Sequence, residues 1–193
     1  MHRRHLIAAT AALTLTLGAQ MSENAEAANL PAGLDPKNTL VMQLKDGQVV
    51  IELYPDLAPL AAARLETLAR EHFYDGTPFH RVIPGFMAQG GDPTGTGTGG
   101  SSLPDLPAEF TTRKKFITGT VGMARTANPN SANSQFFICF APAPWLDGQY
   151  TIVGQVVSGM EFVDHIKPGT GQSGTVSNPD KIVWMRVAAD LPK

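Results

Sequence analysis

Residues 79–92 read FHRVIPGFMAQGGD. FHRVI and FMAQ are short, β-prone runs, and Pro84-Gly85 between them suits the two central positions of a type II turn, so the stretch predicts an antiparallel strand pair. Successive side chains of a strand point to opposite faces, which sets Phe79, Arg81 and Ile83 on one side and His80 and Val82 on the other. An unpaired guanidinium does not enter a dry core, so the face with Arg81 should be the outer one. That face is then apolar and cationic together, a combination that marks a binding surface.

Outward from this pair the same pattern recurs. TLVMQL and QVVIELY flank Lys45-Asp46-Gly47, and alternation on both sides of an Asp-Gly pair predicts a hairpin. APLAAARLETLAREHF carries Pro59 near its first turn, Leu60, Ala61, Arg64, Leu65 and Leu68 at helical spacing, and Tyr74-Asp75-Gly76 as a stop. DPTGTGTGGSSLPDLP is loop by composition; GTVGMA, QFFICF, TIVGQVV and KIVWMRVAA read as strands, and MEFVDHIK as a short helix. In QFFICF, Phe136, Ile138 and Phe140 are assigned to the core, leaving Gln135, Phe137 and Cys139 on the other face. Many short strands with hairpin links and only two helices argue against a doubly wound parallel sheet. The expected class is all-β: a closed eight-stranded antiparallel barrel capped by two α-helices.

The chain has 193 residues and a formal net charge of −2. Residues 1–27 combine a basic start, HRRH, an apolar run too short to span a bilayer, and small residues at Ala25-Glu26-Ala27, and read as a signal peptide. Residues 28–38 are linker and residues 39–193 one domain, so the mature protein is expected in the periplasm or secreted. Losing Arg3, Arg4, Glu23 and Glu26 leaves the charge unchanged, and a near-neutral domain gives no electrostatic case for nucleic acid or membrane. Arg113-Lys114-Lys115, the one tight basic cluster, is read as a solvated turn.

Several chemistries lack their sequence requirements. TGTGTGG at 94–100 is followed by neither helix nor lysine, so it is read as a mobile surface loop rather than a phosphate cradle. His72, His80 and His165 show no ligand spacing, no metal is expected, and His80 is assigned as a hydrogen-bonded core histidine. No G-x-S-x-G elbow appears. The single Cys139 cannot form an internal disulfide, and its apolar setting argues against a nucleophile.

Together FHRVIPGFMAQGGD, GTVGMART, SANSQFFICF and WLDGQY, in this order and spacing, resemble the cyclophilin-type peptidyl-prolyl cis-trans isomerases from about Thr39 to Val187. The resemblance implies an eight-stranded barrel with two capping helices, an isomerase acting on X-Pro bonds without a cofactor, and active-site positions at Arg81, Phe86, Met87, Gln89, Gln135, Phe137, Trp145 and Leu146. Arg81 and Gln89 are then the catalytic pair. The rest bind substrate, together with Ala124, Arg125, Thr126 and Tyr150. Many members have Ala-Asn-Ala where this chain has Ala124-Arg125-Thr126, and histidine at Tyr150; the MART form looks like the bacterial branch, here exported. Implied partners are proline-containing peptides, unfolded polypeptides and cyclosporin, with a monomeric enzyme expected. A proline-binding module without turnover and a holdase for unfolded exported chains are the competing readings, and an Arg81–Glu109 ion pair is the competing role for the arginine.

Overall fold

The computed structural model describes residues 30–192; the predicted signal peptide therefore lies outside the described residues. Eight strands form one antiparallel curled sheet: β1 Thr39–Gln43, β2 Gln48–Leu53, β3 Arg81–Ile83, β4 Met87–Gly90, β5 Thr120–Met123, β6 Phe136–Cys139, β7 Ile152–Ser158 and β8 Trp184–Val187. Helix α1, Pro59–Arg70, and the single-turn α2, Met160–Asp164, pack against it. Strand order is β3-β4-β6-β5-β7-β2-β1-β8. The turns form where their chemistry predicts: Gly85 has φ +70° and Phe86 N–H donates to the Ile83 carbonyl at 3.0 Å, as a type II turn requires. The β1–β2 hairpin also forms, with Leu44 N–H donating to the Gly47 carbonyl at 2.9 Å. Gly47 is needed there for room rather than for a left-handed backbone, since a Cβ would lie 2.5 Å from the Phe162 ring.

The sheet is an open half-barrel, and the expected closed barrel is corrected. β3 and β8 share no ladder, because β3 is three residues long between Pro78 and Pro84 and its outer edge is already taken. Val82 N–H donates to the Gly174 carbonyl at 2.8 Å and the Val82 carbonyl accepts from Gly169 N–H at 2.9 Å, so residues 169–176 occupy that edge. Only isolated contacts cross the seam, such as Phe79 N–H to the Asp180 carbonyl at 2.9 Å.

The main core lies inside the curl. Leu65 and Leu68 of α1 meet Tyr74, Phe136, Ile138, Val121 and Met185, and Tyr74 donates its hydroxyl to the Ser134 carbonyl at 3.0 Å. Burying this many apolar side chains, at about 1.5–3 kcal/mol each, is the principal term holding the curl to its helices. Phe79 belongs to this core and is fully buried, which corrects its assignment to the outer face. The alternation that placed it beside Arg81 fails because the ladder begins only at Arg81.

Two charged groups organise α1. Ala58 supplies no side-chain cap; instead Glu109 accepts from Leu60 N–H and Ala61 N–H, both at 2.9 Å, satisfying the first-turn donors. Glu109 is thus a helix cap and not a partner of Arg81. Arg64, counted on the apolar face by spacing, is buried and donates to the Pro104 carbonyl at 2.7 Å, tying the 101–106 loop to the helix. At the other end Asp75 takes Arg186 in a two-pronged ion pair, at 2.7 and 2.8 Å, and accepts from Met185 N–H at 3.1 Å.

Candidate active site

A second, smaller cluster sits on the outer face of β4, β5 and β6: Met87, Phe116, Phe137, Cys139, Leu146 and Ile152 are buried there, with Phe86, Ala124 and Tyr150 packed against them. This is the face assigned to Phe137 and Cys139, while Phe136 and Ile138 point into the main core. Phe116 stacks on Phe137 at 5.7 Å, and Tyr150 meets Phe137 edge-on at 5.8 Å. The cluster forms the floor of a hollow of about 170 Å³ lined by Arg81, Phe86, Met87, Gln89, Ala124, Arg125, Phe137, Leu146 and Tyr150.

Nine of the twelve site residues expected from sequence therefore meet in one concavity. Gln135 and Thr126 line an adjoining polar hollow of about 370 Å³, which shares Gln89, Ala124 and Arg125 with the first. Trp145 lines neither. It is 61 % exposed and leans on the Phe86 ring at 5.5 Å, as a rim.

Arg81 is half-buried and unpaired with any carboxylate among the described residues. Its Nε donates to the Ser173 carbonyl at 3.0 Å and its Nη1 to Gln89 Oε1 at 3.2 Å. Since a guanidinium only donates, Gln89 must turn its oxygen towards Arg81, which leaves its amide nitrogen for Gln135 Oε1 at 2.9 Å. The Gln135 nitrogen in turn reaches the Gly97 and Gly99 carbonyls at 3.1 and 2.8 Å. The polarity of one arginine thus sets the orientation of two amides across the floor. On the opposite rim Arg125 lies over the Tyr150 ring at 4.3 Å and is anchored by the Gln149 carbonyl at 2.8 Å and the Thr126 carbonyl at 2.8 Å.

The glycine-rich loop is more structured than its composition suggests. It winds around Asp92, fully buried, which accepts from Thr94 N–H at 2.8 Å, the Thr94 hydroxyl at 2.7 Å, Gly97 N–H at 2.7 Å and Gly99 N–H at 3.0 Å. Burial pushes the Asp92 carboxyl up, but the Thr94 hydroxyl and the three N–H groups more than offset it and hold the pKa at about 2. Asp92 was missed among the site residues, although an aspartate at the head of a Thr-Gly repeat is a signature of a carboxylate collecting backbone donors.

His80 departs from its assignment as a hydrogen-bonded core residue. Both ring nitrogens are buried and neither meets a partner among the described residues. The ring lies against Gly97, whose N–H is already committed to Asp92. Burial lowers the His80 pKa, opposed by the Asp92 charge and the nearby Pro78 carbonyl, which falls short of hydrogen-bonding geometry.

Among the described residues no three histidine, cysteine, aspartate or glutamate side chains converge as metal ligands, and no helix is long and apolar enough to cross a membrane. The basic cluster is exposed yet partnered: Arg113 meets Asp56 at 3.2 Å, Lys115 meets Asp147 at 3.3 Å, and Lys114 sits over Tyr54 at 4.1 Å. Cys139 is fully buried beneath Met87 and Phe137, and burial raises its thiol pKa to about 12. Cys139→Ser is accordingly expected to leave turnover within twofold of the parent while lowering stability by about 1–2 kcal/mol, the effect of burying a hydroxyl without a partner. Thiol-reagent labelling that tracks loss of activity in the parent would contradict this.

Known proteins resemble this chain in sequence and fold. A family model described as "Cyclophilin type peptidyl-prolyl cis-trans isomerase/CLD" matches residues 39–187. A Brucella suis protein named "Probable peptidyl-prolyl cis-trans isomerase" is 51 % identical over 97 % of both chains. Among solved structures, cyclophilin AquaCyp293 from Hirschia baltica superposes with a TM-score of 0.74 at 27 % identity, covering 82 % of this chain and 77 % of that one. A Cryptosporidium parvum cyclophilin-type isomerase, crystallised in the presence of the dipeptide Ala-Pro, superposes with a TM-score of 0.70 at 29 % identity, covering 77 % of this chain and 98 % of that one.

Proposed function

The chain belongs to the cyclophilin-type peptidyl-prolyl cis-trans isomerases, and from that premise we propose that it accelerates X-Pro rotation at the outer-face hollow, without a covalent intermediate or a cofactor, by favouring the twisted amide. Resonance gives a peptide bond a rotational barrier of ~18–20 kcal/mol, and X-Pro bonds isomerise unaided over tens of seconds or longer. Catalysis needs only interactions stronger in the twisted state than in either planar one. As the bond twists, the prolyl nitrogen loses conjugation and gains a basic lone pair.

Phe86, Met87, Phe137 and Leu146 form an apolar seat for the pyrrolidine ring. The observation that carries the reading is the Arg81 guanidinium at the edge of that seat. Nε has an acceptor and Nη1 has two, Gln89 Oε1 and, at 4.0 Å, Met87 Sδ, whereas Nη2 has none among the described residues, so its donors are left for substrate. A fixed cation beside a partly desolvated hollow stabilises developing electron density more than it would in open water. Gln89, oriented by Arg81, and the backbone near Arg125 restrain the substrate carbonyl and flanking chain. That the Cryptosporidium relative was crystallised in the presence of Ala-Pro supports a prolyl ligand for this chain.

Exchange of an X-Pro peptide measured by NMR, with and without protein, tests the reading: catalysed exchange supports it, and binding without faster exchange would make the protein a proline-recognition module. A holdase would suppress aggregation of unfolded chains even with Arg81 replaced.

Cyclosporin is a further expected ligand. The Trp145 indole stands exposed at the rim, and a donor that pairs with an inhibitor carbonyl is worth ~1 kcal/mol. Arg125, stacked on Tyr150, reshapes the same rim and weakens the fit by a similar amount. Saturable binding at tens of micromolar or tighter, about −6 kcal/mol, should appear in a tryptophan-fluorescence titration, with Trp145→Phe, which retains Trp184, as control. No saturable signal in that range would mean that the altered rim outweighs the indole.

For location, the leader composition supports export to the periplasm or beyond. The span shared with the Brucella relative covers 97 % of this chain and so takes in most of the leader. Expression of the full chain, fractionation and N-terminal sequencing should yield a mature protein beginning at Ala28; an uncleaved cytoplasmic product would overturn the assignment.

A further inference from the structure

The 170–175 turn contributes no residue to the lining of the hollow, yet it holds the one backbone acceptor of Arg81 Nε. Its own geometry is tightly fixed. Thr170 N–H donates to the Thr175 carbonyl at 3.0 Å, closing a turn over residues 171–174, and Thr175 bridges Arg81 across the edge of β3. Gly174 is buried with φ +71°, and an added Cβ would lie 2.4 Å from Ile83 Cγ1 and 3.0 Å from the Val82 carbonyl oxygen. No other residue lets the turn approach β3 so closely, and that approach sets the height of the preceding Ser173 carbonyl against Nε.

We propose that the 170–175 turn is a positioning element for the reaction: the Ser173 carbonyl, seated by Gly174, locks the Arg81 guanidinium from its Nε side and so fixes the plane of its donors beside the prolyl hollow. One hold, from Nη1 to Gln89 Oε1 at 3.2 Å and Met87 Sδ at 4.0 Å, engages the guanidinium at one corner and through side chains. A second, at Nε and to rigid backbone, fixes its plane. A group already oriented at the transition state loses no freedom as the lone pair develops there. Gly174 is a positioning residue, since it touches no substrate. The inference rests on the role given above to Arg81, and the experiment separates the two.

Exchange of an X-Pro peptide at saturating and subsaturating concentrations is measured for the parent, Gly174→Ala, Arg81→Lys and the double variant. Lysine keeps the charge but has no planar guanidinium, so a bond from its ammonium to the Ser173 carbonyl cannot orient a second donor towards the hollow. Gly174→Ala is expected to lower kcat about tenfold with KM changed less than twofold. In the Arg81→Lys background the same substitution should change kcat less than twofold. The Arg81 Nε–H resonance, protected from solvent exchange in the parent, should exchange rapidly in Gly174→Ala.

A variant that perturbs the backbone less guards against misfolding. Replacing Gly174 by glycolic acid through semisynthesis turns the Ser173 carbonyl into an ester carbonyl, a poorer acceptor. It adds no Cβ and removes an N–H that has no acceptor among the described residues. This ester should lower kcat several-fold in the Arg81 protein and leave the Arg81→Lys protein unchanged. Equal losses in both backgrounds, or full activity in the ester protein, would overturn the positioning role. Full activity in Arg81→Lys and Arg81→Ala would instead overturn the catalytic role of Arg81 itself.

Discussion

Arg81→Ala is expected to fold normally and to slow catalysed X-Pro exchange about a hundredfold. The guanidinium is half-buried, makes no ion pair among the described residues, and is bonded to a carbonyl and an amide that solvent can satisfy in its absence, so little stability is at stake. Loss of a charge-assisted donor that acts mainly on the twisted amide is worth ~3 kcal/mol, and each 1.4 kcal/mol is about tenfold in rate. Peptide affinity should fall far less than turnover, because the apolar seat is unchanged. The check is exchange spectroscopy beside a binding titration. Near-parental exchange in a well-folded Arg81→Ala protein would place the catalytic donor elsewhere.

The largest effect on stability is expected from Asp92→Ala. Its carboxylate is the acceptor for three backbone N–H groups and one hydroxyl in a loop of minimal side chains. Removing it orphans three backbone N–H donors that have no other partner, a loss of about 3 kcal/mol or more, while the Thr94 hydroxyl keeps Thr96. A chain of this size should then melt roughly 6–12 °C lower. The pH dependence has a definite sign. Held at about 2 in the fold against an ordinary 3.8, the Asp92 carboxyl contributes about 2 kcal/mol above pH 4, and this is lost as pH falls from 4 towards 2. His80 acts in a different window. Its lowered pKa means that the unfolded chain takes up the proton first, so stability declines as pH falls below 6.5. Denaturation followed against pH should therefore lose its steepest acid limb in Asp92→Ala and keep the shallower decline at higher pH. An unchanged limb between pH 4 and 2 would assign the acid sensitivity to other carboxylates.

Much of the fold is legible along the chain because its turns are local. Pro84-Gly85 and Lys45-Asp46-Gly47 each declare a reversal within a few residues, and alternation in QFFICF separates the two faces of β6. Nine pocket residues were also recoverable, since they cluster in four short segments, of which strand pairing brings the first three together, with β6 between β4 and β5 and Gln89 opposite Phe137. What stayed hidden depends on partners distant in sequence. Glu109 caps α1 at Leu60, 49 residues earlier, and the Ser173 carbonyl meets Arg81 across 92. A main-chain acceptor carries no residue signature at all. Phe79 was misplaced for the opposite reason, because a local rule was extended one turn beyond the strand to which it applies.

The occupied edge of β3 has a consequence for the company this protein keeps. A half-barrel has two rims, and an unpaired rim is a template on which any extended chain can add itself as another strand. An isomerase meets its substrates while they are still extended, so a free rim would retain clients by their main chains, regardless of proline. Here Val82 offers neither its N–H nor its carbonyl, both being engaged by residues 169–174, and at the far rim Met185 N–H is taken by Asp75. With those valences filled, a passing chain is left to engage through the small hollow that accepts a single ring, and it can leave as soon as the bond has turned. The engaged groups of Val82 and Met185 thus leave fewer main-chain sites on the rims where a passing strand could pair.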